Sequence, residues 1–214
     1  GPTTTLLNTI MKKFGVETTF VDTSDLDEVK KAIKPNTKVV YIETPGNPTL
    51  CISDLQELSK IAHKAGATVV VDNTFMSPAL QNPIALGADV VMHSLTKFLN
   101  GHADVVGGIV IVKDEPTYVN FRKTLNQIGG VIDPFNSFLV HRGLKTLAIR
   151  MERHCESAQI IAEWLEKHSL VESIRFPGLK SHPHYQVGLK QHKGPGGMIT
   201  IELKGGIEAG RLMM

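Results

Sequence analysis

The sequence lacks several features that would point to other classes of protein. Its 214 residues include two cysteines, Cys51 and Cys155, too few for a disulfide framework, and this favours a reducing, cytoplasmic compartment. No apolar run approaches the ~20 residues that a membrane span requires, and nothing resembles a signal peptide. Lysine and arginine form no block and the formal net charge is +2, which argues against nucleic-acid or membrane-surface partners.

What is present is an alternation of strands and helices. β-rich runs occur at 16–21, 38–42, 68–71, 90–93 and 108–112. Helical periodicity occupies 25–33 and 55–64, with Asp25 and either Ser53 or Asp54 as N-caps. Such alternation predicts an α/β fold, with a mostly parallel sheet covered by helices on both faces. Ligands of such sheets bind at the carboxyl ends of the strands.

The pattern changes near residue 146. A long helix is predicted over 147–168, followed by strands at 171–176 and 198–203. We therefore expect a large domain over 1–145, and a linking helix with the start of a smaller α+β domain over 146–214. The last residues, 207–214, stop within a predicted amphipathic helix, and the chain begins without Met. Both ends predict a fragment of a longer protein.

Two strand ends carry residues that suit pyridoxal phosphate (PLP). Lys97 follows a β-branched run and is preceded by the hydroxyl residues Ser94 and Thr96. A lysine can form a Schiff base with an aldehyde cofactor, and the hydroxyl groups can hold its phosphate. Asp72 ends another strand and can keep the ring nitrogen protonated. Each feature alone is more often a cap or a surface residue, but together they predict a PLP site.

Several motifs in one order extend this hypothesis to a family. These motifs are Ile42 to Thr49, Val71 to Phe75, His93 to Lys97, Asn100 to Val106, Arg142 to Leu147, Ile149 to His154, and Phe176 to Leu179 with Ser181 to Pro183. Together they resemble the Cys/Met-metabolism family of PLP enzymes, which includes cystathionine γ-lyase, methionine γ-lyase and cystathionine γ-synthase. The motifs cover essentially the whole chain. The resemblance implies a fold-type-I PLP enzyme, with residues 1–145 as the cofactor domain.

The resemblance also implies a role for each candidate residue. Lys97 would be the Schiff-base lysine and general base, and Asp72 the partner of the pyridine nitrogen. Ser94 and Thr96 would bind the phosphate. Asn47 would hydrogen-bond the phenolic oxygen of the cofactor, although Asn-Pro is also ordinary turn chemistry. The remaining phosphate loop, the aromatic residue that stacks on the cofactor and the arginine for the substrate carboxylate would lie outside residues 1–214.

The function expected from this resemblance is γ-elimination of cystathionine or a related sulfur amino acid, giving a 2-oxo acid, ammonia and a thiol. The alternatives are γ-replacement, by a cystathionine γ-synthase or a homoserine-ester sulfhydrylase, and methionine γ-lyase activity. Pro2 and Asn126 depart from the methionine γ-lyase pattern, whereas residues 205–211 resemble it. A non-enzymatic alternative is an inactive PLP-fold fragment. Lys97 and Asp72 are retained, which counts against degeneration of the parent protein.

Other residues receive no catalytic role. His102 and Asp104 lack the further ligands that a metal site needs, and we expect them to support the loop after Lys97. Three histidines, His182, His184 and His192, lie among prolines and are predicted to be solvated. Gly1-Pro2 is either native, as part of the family's Tyr-Gly-x-Thr motif, or a tag remnant. The resemblance implies a homotetramer built from dimers.

Overall fold

A computed structural model describes residues 1–214. Six strands occur: β1 Val39–Glu43, β2 Thr68–Asp72, β3 Val90–Ser94, β4 Gly108–Val112, β5 Val171–Arg175 and β6 Thr200–Leu203. Nine α-helices accompany them: α1 Pro2–Leu6, α2 Leu26–Ala32, α3 Leu55–Lys64, α4 Ser77–Leu80, α5 Glu115–Ile128, α6 Pro134–Leu144, α7 Leu147–Leu165, α8 Tyr185–Gln191 and α9 Gly206–Met213. Shorter helical turns include Leu95–Leu99, directly after β3.

The main sheet has the strand order β1-β2-β3-β4. Its first three strands are parallel, and β4 is antiparallel to β3. The register aligns Glu43 with Asp72, and Asp72 with Met92. The mostly parallel α/β sheet predicted from the sequence is therefore confirmed. Because parallel strands end at the same edge, the segments after β1, β2 and β3 share one side of the sheet.

The core of this sheet forms where α3 packs on β2. Leu55, Leu58 and Ala62 of α3 and Val69 and Val71 of β2 are buried in one cluster. Burial of one such leucine contributes about 1.5–3 kcal/mol. The helix starts where expected, since the Asp54 carboxylate accepts the amide N–H of Glu57, and Asp25 caps α2 in the same way.

The strand predicted for 16–21 is wrong. The segment forms no ladder with any strand, and Val16 and Phe20 are exposed. Its β-branched composition suggested a strand, but strand formation depends on a neighbour to pair with. β1 has its one partner in β2.

The helix α7 contacts two apolar clusters. Near its start, Leu147 and Met151 pack with Met76 and Leu80 of the main sheet region. Further along, a second cluster contains Ala158, Ala162, Phe176 and Leu179, next to the antiparallel pair of β5 and β6. One helix thus contributes to both clusters. The division at 145/146 remains a prediction.

None of the helices is long and apolar enough to cross a lipid bilayer.

Candidate active site

The Lys97 turn leaves the end of β3 and is anchored by its apolar side. Leu95 and Leu99 are only 5% exposed and pack with Val105 and Val140. Lys97 lies between them and is exposed, and its backbone (φ −96°, ψ −131°) departs from helical values. Lys97 takes part in none of the chain's ion pairs. The structure therefore presents a lysine amino group that no carboxylate neutralises, on a turn that buried leucines hold in place.

Asp72 ends β2 as a half-buried carboxylate held by three donors. Its Oδ1 accepts from the Thr74 amide at 3.1 Å and the Thr74 hydroxyl at 2.6 Å. Its Oδ2 accepts from the Tyr41 hydroxyl at the longer distance of 3.3 Å. An ionised carboxylate can accept about four hydrogen bonds. Asp72 is thus fixed in orientation, and Oδ2 retains capacity for a further donor.

Thr74 connects the two strand ends that carry the candidate residues. Its hydroxyl donates to Asp72 and accepts the Ser94 amide at 2.9 Å. The structure therefore brings Asp72 and Ser94 together through one bridging side chain. Thr74 lies within one of the family motifs, but the sequence alone assigns it no role. The contact follows from the parallel register, which places the residue two beyond Asp72 near the residue two beyond Met92.

The two hydroxyl residues of the Lys97 turn are both half-buried. The Thr96 hydroxyl accepts the Gly107 amide at 3.3 Å, and the Ser94 backbone bonds to Thr74 as described. A hydroxyl that accepts one hydrogen bond still has its own proton to donate. Ser94 and Thr96 can therefore each donate to an anion.

Asn47 lies in the loop after β1, at the same edge of the sheet, and is exposed. Its backbone amide donates to Glu43 Oε1 at 3.2 Å. Its side chain makes no hydrogen bond to the other candidate cofactor-binding residues. Glu43 is exposed as a residue, but desolvation of its carboxyl group raises its pKa, against the opposing effect of the Asn47 backbone amide and with a smaller contribution from the charge of Asp72. Asn47 is thus tied to the site through Glu43 alone.

Sequence reasoning missed two further groups beside Asp72. His93 is 3% exposed and its Nδ1 has no partner. Burial lowers the pKa of His93, against the opposing charge of Asp72. Burial also raises the pKa of Tyr41, and the charge of Asp72 adds to this. Both shifts favour the neutral forms of these two side chains.

The segment after Lys97 is supported as the sequence predicted. The side-chain amide of Asn100 donates to Asp104 Oδ1 at 2.6 Å, and His102 Nδ1 donates to the backbone carbonyl of Asn100 at 2.6 Å. His102 and Asp104 thus hold the loop. The chain contains no group of three or more His, Cys, Asp or Glu side chains placed to hold a metal ion.

The prediction that His182, His184 and His192 are solvated is wrong. His182 is 4% exposed, and the other two are partly buried. The His182 ring donates from Nε2 to the Leu50 carbonyl at 3.1 Å, across 132 positions of the chain. The prolines around these residues suggested a surface loop, but the loop folds back onto residues 50–55. Local composition does not report such a long-range contact.

With this geometry established, the comparisons with known proteins identify the family. The family described as Cys/Met metabolism PLP-dependent enzyme matches residues 1–214. The chain belongs to this family. Its fold class is accordingly that of the fold-type-I PLP enzymes, and the family's cofactor is PLP.

Individual relatives agree with this assignment. An L-methionine gamma-lyase of Treponema denticola is 52% identical, over all of this chain and 54% of its own length. A cystathionine gamma-lyase of Dictyostelium discoideum is 46% identical, over 99% of this chain and 54% of its own. The crystal structure of cystathionine gamma-lyase from Lactobacillus plantarum, complexed with L-serine, matches with a TM-score of 0.93 and 40% identity, over 94% of this chain and 53% of that one. The chain therefore spans about half the length of the relatives it matches.

Proposed function

We propose that the full-length protein is a PLP-dependent carbon–sulfur lyase that carries out γ-elimination on cystathionine or a related sulfur amino acid. The products would be a 2-oxo acid, ammonia and a thiol. One observation carries the proposal. The unpaired amino group of Lys97 stands on a turn whose first residue, Ser94, is linked through Thr74 to the carboxylate of Asp72. Relatives named methionine gamma-lyase and cystathionine gamma-lyase support the reaction class.

The donor set at this edge of the sheet fits the cofactor of the family. Lys97 would hold its aldehyde carbon, and Asp72 Oδ2 would accept from its ring N–H, since Thr74 already occupies Oδ1. Ser94 and Thr96 would donate to its phosphate. Asn47 would donate to its phenolic oxygen from the loop after β1. The protein thus offers one acceptor for the ring N–H, one amine for the aldehyde and three donors for the phosphate and the phenolic oxygen, so each polar group of the cofactor has a partner.

When bound, PLP contributes a ring that accepts the electrons released at the α carbon of the substrate. The side chains do the rest. Asp72, fixed by Thr74, would keep a proton on the ring nitrogen, where a negative charge is most useful. Lys97, once substrate replaces it on the cofactor, would move protons at Nζ between the α, β and γ carbons.

Relatives with two different substrates resemble the chain to a similar degree. Methionine gamma-lyases are 48–52% identical to the chain and cystathionine gamma-lyases 46%. Asn126, which departs from the methionine γ-lyase pattern, is exposed on α5. We keep cystathionine as the proposed substrate. Methionine is the second candidate, because of the 52% identical relative.

The test compares three reactions of the full-length enzyme. We expect 2-oxobutyrate release from cystathionine to exceed both release from methionine and the formation of cystathionine from O-succinylhomoserine plus cysteine. Lys97→Ala supplies the background rate. Faster release from methionine would make the protein a methionine γ-lyase, and faster cystathionine formation would move it to the synthases.

Three further statements belong to the same proposal. We propose that the protein is cytoplasmic, which its two free cysteines support. We propose a homotetramer built from dimers, supported by large exposed apolar side chains such as Ile128, Phe135 and Phe138. The boundary between a cofactor domain over 1–145 and a second region over 146–214 is also proposed.

A further inference from the structure

The carbonyl groups that follow Lys97 are bonded to a single arginine. Arg150, in the first turn of α7, donates from Nη1 to the Phe98 carbonyl at 2.8 Å and from Nη2 to the Leu99 carbonyl at 3.5 Å. Nη2 also donates to the Gly143 carbonyl at 2.9 Å, at the end of α6. A guanidinium group has five N–H donors in a rigid plane. Arg150 therefore joins the Lys97 turn to both α6 and α7.

The same arginine is itself held in place. Its Nε donates to the Thr146 hydroxyl at 3.1 Å, and that hydroxyl donates to the Gly143 carbonyl at 3.2 Å. Arg150 is absent from the chain's ion pairs, whereas Arg153, one turn further along α7, pairs with Glu156 in solvent. The charge of Arg150 is thus directed entirely at neutral acceptors. Charged donors make hydrogen bonds roughly twice as strong as neutral ones.

Two glycines allow the turn to approach so closely. A Cβ atom at Gly143 would overlap the Asn100 carbonyl oxygen, and one at Gly101 would overlap the Arg150 guanidinium. Gly101 also has a φ of +71°, which side chains rarely adopt. The segment 98–101 therefore lies directly against Gly143 and Arg150, without intervening side chains.

The helix behind Arg150 is part of the core. Leu147 and Met151, on either side of Arg150 in α7, are buried against Met76 and Leu80. The guanidinium therefore acts from a fixed position, and the Lys97 turn has no other cation on its carbonyls. Phe98 also packs edge-on against His154 of the same helix, with ring centroids 5.3 Å apart.

We propose that Arg150 is a positioning residue, which sets the direction of the Lys97 amino group by fixing the carbonyls of the next two residues. Misplacement of a reacting group by about 1 Å can lower a rate by about 10²-fold. Loss of Arg150 should therefore lower kcat by roughly 10- to 100-fold and change KM little. The catalytic consequence rests on the proposed function, but the structural consequence does not.

The test uses the full-length protein and three variants: Arg150→Gln, Arg150→Lys and the control Arg153→Gln. Hydrogen–deuterium exchange of the apoenzyme is followed at the Asn100 and Gly101 amides, which donate to the Leu95 and Lys97 carbonyls. In parallel, PLP is added to the apoenzyme, and borohydride reduction at successive times gives the rate at which Lys97 becomes covalently labelled. The kinetic constants kcat and KM are measured last.

We expect Arg150→Gln to raise exchange at Asn100 and Gly101 about 10-fold or more, to slow fixation on Lys97 and to lower kcat. Arg150→Lys, which keeps the charge and loses the planar fork, should give a smaller change of the same kind. Arg153→Gln should match the wild type. If amides throughout Arg150→Gln exchange rapidly, that variant is unfolded, and the same measurements on Arg150→Lys then test the proposal.

Unchanged exchange at Asn100 and Gly101, or unchanged fixation on Lys97, would overturn the proposal. Exchange and fixation require no substrate. If both change as expected while the wild-type protein eliminates none of the sulfur amino acids, the lyase proposal fails and the role of Arg150 stands.

Discussion

The turn that carries Lys97 and the loop that carries Asn47 leave the same edge of one sheet, but different parts of the chain hold them. The Lys97 turn is fastened by α6 and α7, through Gly143 and Arg150. The Asn47 loop is fastened by residues 182–200. His182 donates to the Leu50 carbonyl, and the Thr200 hydroxyl donates to the Pro48 carbonyl at 2.6 Å.

The two fastenings differ in their chemistry. An arginine stays protonated at every physiological pH. His182 is neutral at Nδ1, because that nitrogen accepts the His184 amide at 3.2 Å. Protonation would place a donor against a donor. The Arg150 contacts of the Lys97 turn should therefore persist in mild acid, whereas the His182 contact of the Asn47 loop should be lost.

The largest expected effect separates the chemistry of the two segments. Lys97→Ala should lower kcat by about 10³-fold or more, because it removes both the attachment point and the base. Asn47→Ala should act mainly on cofactor affinity, by roughly 10-fold, since one neutral hydrogen bond contributes about 0.5–1.5 kcal/mol. PLP titration and steady-state kinetics measure both, with the exposed Lys64→Ala as control. Similar losses of kcat in both variants would contradict the distinction.

Asp72→Asn tests the carboxylate that lies between the Lys97 turn and the Asn47 loop. An uncharged amide can still accept from Thr74 but cannot hold the ring proton as well. We expect kcat to fall about 10- to 150-fold, from a charge-assisted bond of roughly 1.5–3 kcal/mol, with a smaller change in PLP affinity. Asp27→Asn on the exposed helix α2 is the control. Turnover like that of the wild type would mean that another group protonates the ring.

Gly143→Ala should disturb the Lys97 turn without touching any catalytic group. The new methyl group would overlap the Asn100 carbonyl oxygen, and such overpacking typically destabilises by about 1–3 kcal/mol. Urea denaturation measures the loss. Gly210→Ala in α9, where a Cβ meets no atom within 4 Å, should be neutral or slightly stabilising. Equal stability of the two variants would show that the turn has room to move.

These contrasts show what the sequence could and could not predict. Asp72 ends one strand and Lys97 follows another, both with clear β-branched patterns, and Asp25 and Asp54 cap helices, so local periodicity predicted these strand and helix ends correctly. Arg150 and His182 act on carbonyls 51, 52 and 132 positions away. No local pattern reports such contacts. The strand expected at 16–21 fails for a related reason, because a strand needs a partner that composition does not supply.

Mild acid should loosen the Asn47 loop. Burial lowers the pKa of His182, with further lowering by His184 and Arg175 and an opposing effect of the Leu50 carbonyl. Burial lowers the pKa of His192 to about 4. Folding therefore favours the neutral rings, and their stabilisation is present above the unfolded pKa of ~6.5 and is lost as pH falls toward the folded values. The free energy of unfolding should decrease between about pH 6.5 and 4.

Amide exchange, corrected for its intrinsic pH dependence, locates this effect. Protection of the His184 amide, which donates to His182 Nδ1, should fall between about pH 6.5 and 4, while that of Gly101 in the Lys97 turn should hold. His182→Gln, whose side-chain oxygen can accept at any pH, should lessen the dependence at the His184 amide. Equal losses of protection at the His184 and Gly101 amides would refute the difference between the two sets of contacts.

The most direct measurement is the identity of the lysine that holds the cofactor. Full-length protein is loaded with PLP, reduced with borohydride, digested and analysed by mass spectrometry. We predict that the pyridoxyl label lies on the peptide containing Lys97, and that Lys97→Ala still binds PLP without becoming labelled. A label on any other lysine of the wild-type protein would contradict the placement of the active site at the carboxyl end of β3.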